Sequence, residues 1–285
     1  MSDAYIPTNL PQRANIQGLW HLDENAVGGI PAFDYSGNGN HLSDVNTTTA
    51  NSSGKIGYCR DFEESNSEYL YITDGNQTGL NITGEITLAC WIKFETLPST
   101  AGGAMTFIGK YNTTGDNRSY YILQDDDDNK VKFRLSSDGT LGNSTLASSN
   151  TALSSTGTWY HVAATLNQTT DKMQTYINGS ADGSEVSYTS NIADKTASFR
   201  LGAYDNGVYM DGLIDEVIVW NTALTDSEVS TVYDITEYKY GGVVNAGIGS
   251  PWIFMRETLD KGKKYFKKKG LYLPDDRLFK PELVI

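Results

Sequence analysis

The sequence predicts an all-β protein built as a sandwich of two antiparallel sheets, and three observations carry this prediction. The 285 residues include 28 glycines and 18 tyrosines, and 39% of the chain is hydrophobic, which is enough to fill a two-sheet core. Strand-like runs recur at short intervals between residues 18 and 222, separated by turn-rich stretches such as 34–40 (DYSGNGN) and 125–129 (DDDDN). No helix pattern interrupts these runs, so a sandwich is favoured over a parallel sheet with crossover helices.

The predicted strands show two kinds of hydrophobic pattern. In 130–136 (KVKFRLS), hydrophobic residues alternate with Lys and Arg, which is typical of a strand with one face in water. The runs 86–94 (ITLACWIKF) and 212–220 (GLIDEVIVW) are apolar on both faces over part of their length, so we expect them in the middle of a sheet. The predicted strands are 18–22, 56–62, 69–72, 86–94, 106–110, 120–124, 131–135, 159–166, 173–177, 199–203 and 213–220.

A short helix is predicted to close the sandwich. Thr225 occupies an N-cap position, and Glu228 three residues later completes a capping box in front of an apolar stripe. A glycine-rich linker follows at 240–249. Ser250 then caps a second predicted helix that ends in a lysine-rich turn, and prolines keep the rest of the chain extended.

Charge is distributed unevenly along the chain. The net charge is −13, yet residues 241–285 contain nine Lys or Arg against five acids, which gives +4. The preceding 240 residues contain 13 bases and 30 acids, which gives −17. An acidic body repels phosphate backbones and anionic membranes, so the sequence argues against nucleic-acid binding by the sandwich and against membrane association.

The cysteines and the first residues bear on the compartment. Cys59 and Cys90 both lie in apolar strand runs, which favours two buried thiols over a disulfide but leaves their pairing open. Residues 1–17 contain neither an apolar segment nor a cleavage pattern, so no signal peptide is expected. No stretch approaches 18 consecutive apolar residues, so no membrane span is expected.

A series of short motifs resembles one superfamily when the motifs are taken in their order along the chain. The motifs are 18–24 (GLWHLDE), 34–42 (DYSGNGNHL), 85–94 (EITLACWIKF), 158–167 (TWYHVAATLN), 174–180 (QTYINGS), 199–204 (FRLGAY) and 212–229 (GLIDEVIVWNTALTDSEV). Together they resemble laminin-G-like domains of the concanavalin A-like lectin and glucanase superfamily. The resemblance implies a jelly-roll sandwich and roles in carbohydrate recognition, adhesion and assembly, without choosing among them. We therefore expect an N-terminal arm over 1–17, a sandwich over 18–240 and a basic, aromatic C-terminal arm over 241–285.

The resemblance also implies a structural calcium ion beside the loop 34–40. The matching oxygen donors in this chain are Asp34, Asn38 and Asn40, with Asp211 or Asp215 of the closing strand as partner. Carboxylate, amide and carbonyl oxygens in a tight glycine-bearing turn suit Ca²⁺. The alternative is a turn in which Asp34 and Asn38 bind local backbone amides and no ion is needed.

Catalysis finds little support in the sequence. Glycosidases place two carboxylates on either side of the bond that is cut, and this arrangement has no matching motif here. The pairs Glu63–Glu64 and Asp215–Glu216 are adjacent, so on a regular strand each pair would point to opposite faces. His161 is interpreted as a packed strand residue and not as a base. The sequence therefore predicts a protein that is not an enzyme.

Sugar binding requires exposed aromatic rings beside hydrogen-bonding side chains, and two loops combine both. The first contains Tyr204, Asp205, Asn206 and Tyr209, and the second contains Tyr111, Asn112, Asp116 and Asn117. With 18 tyrosines in the chain, chance clustering remains an alternative for each loop.

The C-terminal arm is rich in aromatic and cationic residues that call for a docking surface. Those residues are Trp252, Phe254, Lys263, Lys264, Phe266, Lys267, Lys268 and Lys269. The arm and the missing export signal favour a virion structural protein, a phage head decoration or tail-associated component, whose partners are other virion subunits or copies of itself, with surface glycans as a further ligand. The alternative is a microbial carbohydrate-binding or adhesion module that acts outside the cell or at its surface.

Overall fold

A computed structural model describes residues 10–25, 31–205 and 207–237. Within these ranges, antiparallel strands form two packed sheets, which confirms the predicted all-β sandwich. No helix in the described ranges is long and apolar enough to cross a membrane. In chain order, the strands and helices are β1 (Ile16–Trp20), β2 (Ser43–Val45), β3 (Thr49–Asn51), β4 (Cys59–Phe62), β5 (Tyr69–Ile72), β6 (Ile86–Phe94), α1 (Pro98–Ala101), β7 (Met105–Asn112), β8 (Asn117–Gln124), β9 (Lys130–Ser136), β10 (Ser144–Ala152), β11 (Tyr160–Asn167), β12 (Lys172–Ile177), β13 (Ser180–Ala181), β14 (Val186–Ser187), β15 (Phe199–Leu201), β16 (Gly212–Trp220) and α2 (Asp226–Glu237).

The strand order defines a nine-stranded and a seven-stranded sheet. The nine-stranded sheet runs β13-β12-β11-β6-β16-β4-β3, with β1 also paired to β16 and β14 also paired to β12. The seven-stranded sheet runs β10-β9-β8-β7-β15-β5-β2. As the apolar patterns of β6 and β16 predicted, these two strands lie side by side in the middle of their sheet.

The strands that the sequence did not predict are short or polar, and most lie at sheet edges. β10 and β2 end the seven-stranded sheet, while β13 and β3 end the nine-stranded one. The residues of β10 are mostly Ser, Thr and Ala, and three of its residues at one end are exposed. Edge strands bury little apolar surface, so their sequences lack the hydrophobic alternation that reveals internal strands.

The main core fills the space between the two sheets. The ring of Trp20 in β1 stacks on Phe199 in β15, with ring centroids 5.2 Å apart, and both side chains are fully buried. The indole Nε1 of Trp20 also donates to the carbonyl of Asn40 at 2.9 Å. Burial of such side chains contributes roughly 2–3 kcal/mol each. The ring contact joins the two sheets, and the hydrogen bond fixes the loop that contains Asn40.

Helix α2 covers part of the outer face of the nine-stranded sheet. The predicted capping box is present, because the backbone N–H of Thr225 donates to Glu228 Oε2 at 2.9 Å and the N–H of Glu228 donates to Thr225 Oγ1 at 3.3 Å. Val229 and Val232 then pack with Trp220 in a second apolar cluster. Within the described residues, α2 packs on the nine-stranded sheet and not on the seven-stranded one, so the two sheets present different outer faces.

His161 is a packed strand residue, as expected. Its side chain is buried on β11, where its ring lies 5.3 Å from Trp91 and 5.8 Å from Tyr233, measured between centroids. Burial lowers the pKa of His161 to about 3, and the nearby Lys55 adds to this effect. The imidazole is therefore neutral at physiological pH.

The two cysteines lie within the described residues, whereas most of the two predicted arms lies outside them. Cys59 and Cys90 are both buried thiols with no disulfide between them, and burial raises the pKa of Cys90. The predicted assembly arm over 241–285, including all of its aromatic and lysine residues from Trp252 to Lys269, lies outside the described residues. Residues 1–9 of the predicted N-terminal arm lie outside them as well.

Candidate functional site

The loop that was predicted to hold calcium is closed by its own hydrogen bonds. Asp34 Oδ1 accepts the N–H groups of Leu19 and Ser36 at 3.0 and 2.9 Å, while Oδ2 accepts the N–H of Asn40 and the hydroxyl of Ser36, each at 2.8 Å. Asn40 Oδ1 in turn accepts the N–H of Thr78 at 2.7 Å. Because these oxygens already have N–H or O–H donors, the arrangement fits the amide-binding turn better than it fits an ion, and calcium here stays a prediction.

The proposed calcium partners on the closing strand lie elsewhere. Asp34 binds the backbone of Leu19, which pairs with Ile218 of β16. Asp215 lies three residues before Ile218 along β16, opposite Trp91 of β6, and is therefore roughly 10 Å from the level of Asp34. The carboxylate of Asp215 is fully buried, and it accepts the N–H groups of Glu216 and Ile56. Burial raises the pKa of Asp215 well above its usual range, and Glu216 adds to the rise.

A β-bulge corrects the expectation that Asp215 and Glu216 point to opposite faces. The register between β16 and β6 shifts after Asp215, and Glu216 has a positive φ of 49°. A bulge inserts one extra residue, so two successive side chains share a face. Asp215 lies opposite Trp91 and Glu216 binds His21 at 2.9 Å, both on the outer side of the nine-stranded sheet. Burial opposes protonation of His21, but the Glu216 carboxylate raises its pKa above the usual value.

Asp211, the other predicted calcium partner, lies near a group of carboxylates that the sequence did not reveal. Oxygens of Asp61, Glu63 and Glu95 lie within 4.8 Å of one another. Partial burial raises the pKa of Glu63, and the neighbouring Asp211 and Asp61 add to the rise. Burial raises the pKa of Glu95 as well, and the charges of Asp61, Glu63 and Asp211 raise it further. Repulsion among these neighbouring carboxylates adds to the effect of burial, and protons or a cation would relieve it.

A row of outward-facing side chains crosses the seven-stranded sheet at one level. Each member is the direct register partner of the next, and partners in antiparallel strands share a face. The row consists of Ser43, Tyr71, Arg200, Gly109, Tyr121, Arg134 and Leu146. It combines two phenol rings with two guanidinium groups and contains no carboxylate.

Tyr204 fills the gap that Gly109 leaves in this row. A Cβ atom on Gly109 would lie only 2.9 Å from the Cβ of Tyr204, so the glycine allows the tyrosine to lie against the sheet. The Tyr204 ring is nearly parallel to that of Tyr121, at 8°, with centroids 5.3 Å apart. Tyr111 meets both rings edge to face at 5.0 and 4.7 Å. Packed aromatic pairs of this kind hold one another in place.

A second tyrosine pair borders the row on the side of β5. The ring of Tyr69 lies 5.9 Å from Tyr71 and 6.3 Å from Tyr209, and the guanidinium of Arg200 lies 4.5 Å from the Tyr69 ring centre. We name the whole surface the tyrosine face, and its residues are Tyr69, Tyr71, Tyr111, Tyr121, Tyr204, Tyr209, Arg134 and Arg200. Four of its tyrosines, Tyr69, Tyr71, Tyr204 and Tyr209, are partly exposed.

The two loops that the sequence predicted for sugar binding come together on this surface, because Tyr204 contacts Tyr111. Asp205 binds across to the other loop: its Oδ2 accepts both the N–H and the hydroxyl of Thr113, which joins the two loops. Asn206 lies outside the described residues. Asp116 forms an ion pair with Arg118 at 2.8 Å.

Except for Tyr111, sequence reasoning missed the strand residues of the tyrosine face. Tyr69 and Tyr71 alternate with the buried Leu70 and Ile72, which was a readable signal for two tyrosines on one outer face. Tyr121 and Arg200 carried no such signal. Their place beside Tyr204 depends on pairing between strands that are far apart in the chain.

A family model described as the concanavalin A-like lectin/glucanases superfamily, of the laminin G type, matches residues 64–230. The chain belongs to this superfamily. The match spans β5 to the first turn of α2 and so includes every residue of the tyrosine face. No curated protein matches the chain.

Solved structures show the same fold at low sequence identity. Domain 4 of AbnA, a GH43 extracellular arabinanase from Geobacillus stearothermophilus, in complex with arabinotriose, is 21% identical with a TM-score of 0.53; the match covers 77% of this chain and 98% of that one. The binding domain of Paraclostridial Mosquitocidal Protein 1 is 16% identical with a TM-score of 0.61, covering 78% of this chain. The binding domain of Botulinum Neurotoxin DC in complex with SialylT is 13% identical with a TM-score of 0.58, covering 79%. The chain spans 52% of each of these two toxin chains.

Proposed function

We propose that this chain is a non-enzymatic carbohydrate-binding module that binds a glycan across the tyrosine face. One observation carries the proposal: partly exposed tyrosines lie beside arginine donors on a sheet face that α2 does not cover. Aromatic rings stack on the apolar faces of sugars, and guanidinium groups donate to their hydroxyl oxygens. A flat face at the level of several neighbouring strands suits an extended oligosaccharide.

The fixed geometry of the tyrosine face supports the proposal. Tyr204 is held between Tyr121 and Gly109, and Arg134 is held by bonds from its Nε to Tyr121 Oη and from its Nη1 to Ser144 Oγ, both at 2.8 Å. Side chains that are already ordered lose little conformational entropy on binding. The solved complex with arabinotriose shows that one protein of this fold takes a neutral oligosaccharide.

The absence of catalysis is part of the proposal and rests on the state of the candidate acids. Asp215 and Glu216 do share a face, but they are 0% and 5% exposed, and their oxygens bind backbone amides and His21. A glycosidase needs its two carboxylates accessible on opposite sides of the scissile bond. These two acids are better placed to join β16 to β1 and to the chain around Ile56.

A glycan array with matched tyrosine variants tests the proposal. We expect the full-length protein to bind a defined set of glycans and the Tyr71→Ala variant to lose about five- to tenfold in affinity for them, because one stacking contact contributes about 1–1.5 kcal/mol. Tyr204→Ala should act in the same direction. Tyr58→Ala is the control, since Tyr58 is partly exposed but lies before β4 on the other sheet. Equal binding by Tyr71→Ala and wild type would place the site elsewhere.

The predicted virion role is a finer proposal that the tyrosine face neither requires nor opposes. It depends on the arm over 241–285, which lies outside the described residues. A glycan-binding sandwich anchored to a larger particle through such an arm would combine both sequence predictions, with virion subunits as protein partners and surface glycans as ligands. Copurification of the chain with assembled particles tests the anchoring half.

A further inference from the structure

We infer that the glycan bound by the tyrosine face carries a carboxylate, and that Arg200 binds it. This inference rests on the proposed function and goes beyond it by naming the chemical class of the sugar: an acidic oligosaccharide. Two features support it: the positive charge of the tyrosine face, and an arginine whose guanidinium donors have no hydrogen-bond partner among the described residues.

The tyrosine face is locally cationic on an acidic body. The first 240 residues contain 30 acids and 13 bases, yet the row that contains Tyr71 and Tyr121 includes Arg200 and Arg134 and no acid. The two arginines lie three strands apart, on β15 and β9, which is roughly 14 Å at the usual spacing of strands. At this separation the two guanidinium charges repel each other only weakly in water, and an anionic ligand that spans the face would be attracted by both.

Four described cations of the sandwich have carboxylate partners, whereas Arg134 and Arg200 belong to the larger group for which the described residues show none. Within the described ranges, Arg60, Lys110, Arg118 and Lys132 each have a carboxylate oxygen within 4.0 Å. The bonds of Arg134 go to the hydroxyl groups of Tyr121 and Ser144. Arg134 therefore keeps its full charge on the face while its geometry is fixed by neutral partners.

Arg200 has more unused side-chain donors than Arg134. Its guanidinium lies 4.5 Å from the Tyr69 ring centre, which orients the fork, and no hydrogen bond or ion pair of its side chain is found among the described residues. Its Nη1 is buried without a hydrogen-bond partner. An unsatisfied buried donor costs about 1–3 kcal/mol, so Arg200 would be stabilised by turning Nη1 towards a ligand oxygen. Arginine binds planar carboxylates through two parallel N–H bonds, and a hydroxyl cannot match both.

Tyrosines and arginines together also suit single-stranded nucleic acid, so the charge pattern has to decide between the two ligands. Nucleic acid brings one phosphate per nucleotide, and the surrounding body of charge −17 repels such a dense charge. A sugar chain with isolated carboxylates places its charge at the arginines only. The cationic region is also small, since two arginines make up its charge. An acidic oligosaccharide is therefore the favoured ligand.

The test uses an array on which carboxylated oligosaccharides are printed beside the same sugars with the carboxylate reduced to an alcohol. We expect the full-length protein to bind the acidic member of a pair about tenfold or more tightly, since a charge-assisted hydrogen bond contributes about 1.5–3 kcal/mol. Arg200→Gln should abolish this preference while keeping the weaker binding to the reduced sugar. Arg200→Lys, which keeps the charge and loses the fork, should retain part of the preference. The charge-matched control is Lys172→Gln on the other sheet.

The outcomes separate this inference from the proposed function. Tyrosine-dependent binding to reduced and acidic sugars alike would overturn the inference and leave the proposed function standing. An Arg200→Gln variant that unfolds at the wild-type temperature and keeps the preference would overturn the role of Arg200. No binding to any printed glycan would overturn both proposals. Tighter binding to polyuridylic acid than to every acidic glycan would overturn the choice of ligand class.

Discussion

The imidazole of His161 is neutral because its burial removes the water that would stabilise the protonated form. Burial, followed by the neighbouring Lys55, lowers its pKa to about 3 from an ordinary value of 6.5. In the unfolded chain it takes up a proton below pH 6.5, whereas in the folded chain it does not until about pH 3. The stability that this histidine contributes is thus fully present above pH 6.5 and is lost as the pH falls from 6.5 towards 3.

Replacing His161 by Phe should remove this dependence. Between pH 6.5 and pH 4, we expect the free energy of unfolding of the wild type to fall faster than that of His161→Phe, by up to about 1.4 kcal/mol per pH unit. Denaturant titrations of both proteins at half-unit pH steps measure the difference. Parallel pH profiles for the two proteins would show that the folded state accommodates the imidazolium.

Other residues mark the limit of what sequence patterns predict. Asp215 and Glu216 were expected on opposite faces because side chains alternate along a regular strand. The bulge puts both side chains on one face. It is recognised from the positive φ of Glu216, which cannot be predicted from the residue type. Asp34 was predicted to bind calcium, with an amide-binding turn as the alternative. Its role depends on which amides reach its oxygens, and those amides come from β1 and from the loop itself.

At the scale of elements, internal strands were predictable and their partners were not. The hydrophobic runs of β5, β6 and β16 fall where the sequence placed them, because an internal strand has to bury one or both faces. The row from Tyr71 to Arg134 depends on the register of strands separated by up to about 130 residues in the chain. A single sequence contains no direct signal for that register, so the loops and the alternation in β5 were readable, but their meeting in one tyrosine face was not.

A substitution at Gly109 tests whether Tyr204 packs against β7 in this register. In Gly109→Ala, the added Cβ would lie 2.9 Å from the Cβ of Tyr204, which is too close, so the loop after β15 has to move. We expect Tyr204 to separate from Tyr121, with a lower midpoint of thermal unfolding and weaker glycan binding. Gly142→Ala is the matched control, because no atom lies within 4 Å of its added Cβ. Near-ultraviolet circular dichroism of the tyrosines and calorimetry measure both effects, and identical results for the two variants would contradict the packing described here.

At the scale of the whole molecule, the tyrosine face lies in the acidic portion of the chain, and a basic portion follows it in the sequence. Every residue of the tyrosine face lies between Tyr69 and Tyr209, and the main core and the α2 cluster are formed by residues up to Ile235. The excess of bases lies after residue 240. Oppositely charged portions favour association with an acidic neighbour, which is the electrostatic basis of the anchoring prediction.

Truncation after Tyr240 should therefore separate glycan binding from anchoring. We expect the shortened chain to keep the wild-type thermal midpoint and glycan-array profile, because the residues responsible for both precede the cut. Its recovery with assembled particles on a density gradient should fall sharply, since the predicted arm and its positive charge are gone. Reversing the charge of the lysines from Lys263 to Lys269 in the full-length chain is the complementary variant and should give the same loss. Equal recovery of the truncated and full-length chains would show that the sandwich itself contacts the particle, and a lost glycan profile would show that residues after 240 contribute to sugar binding.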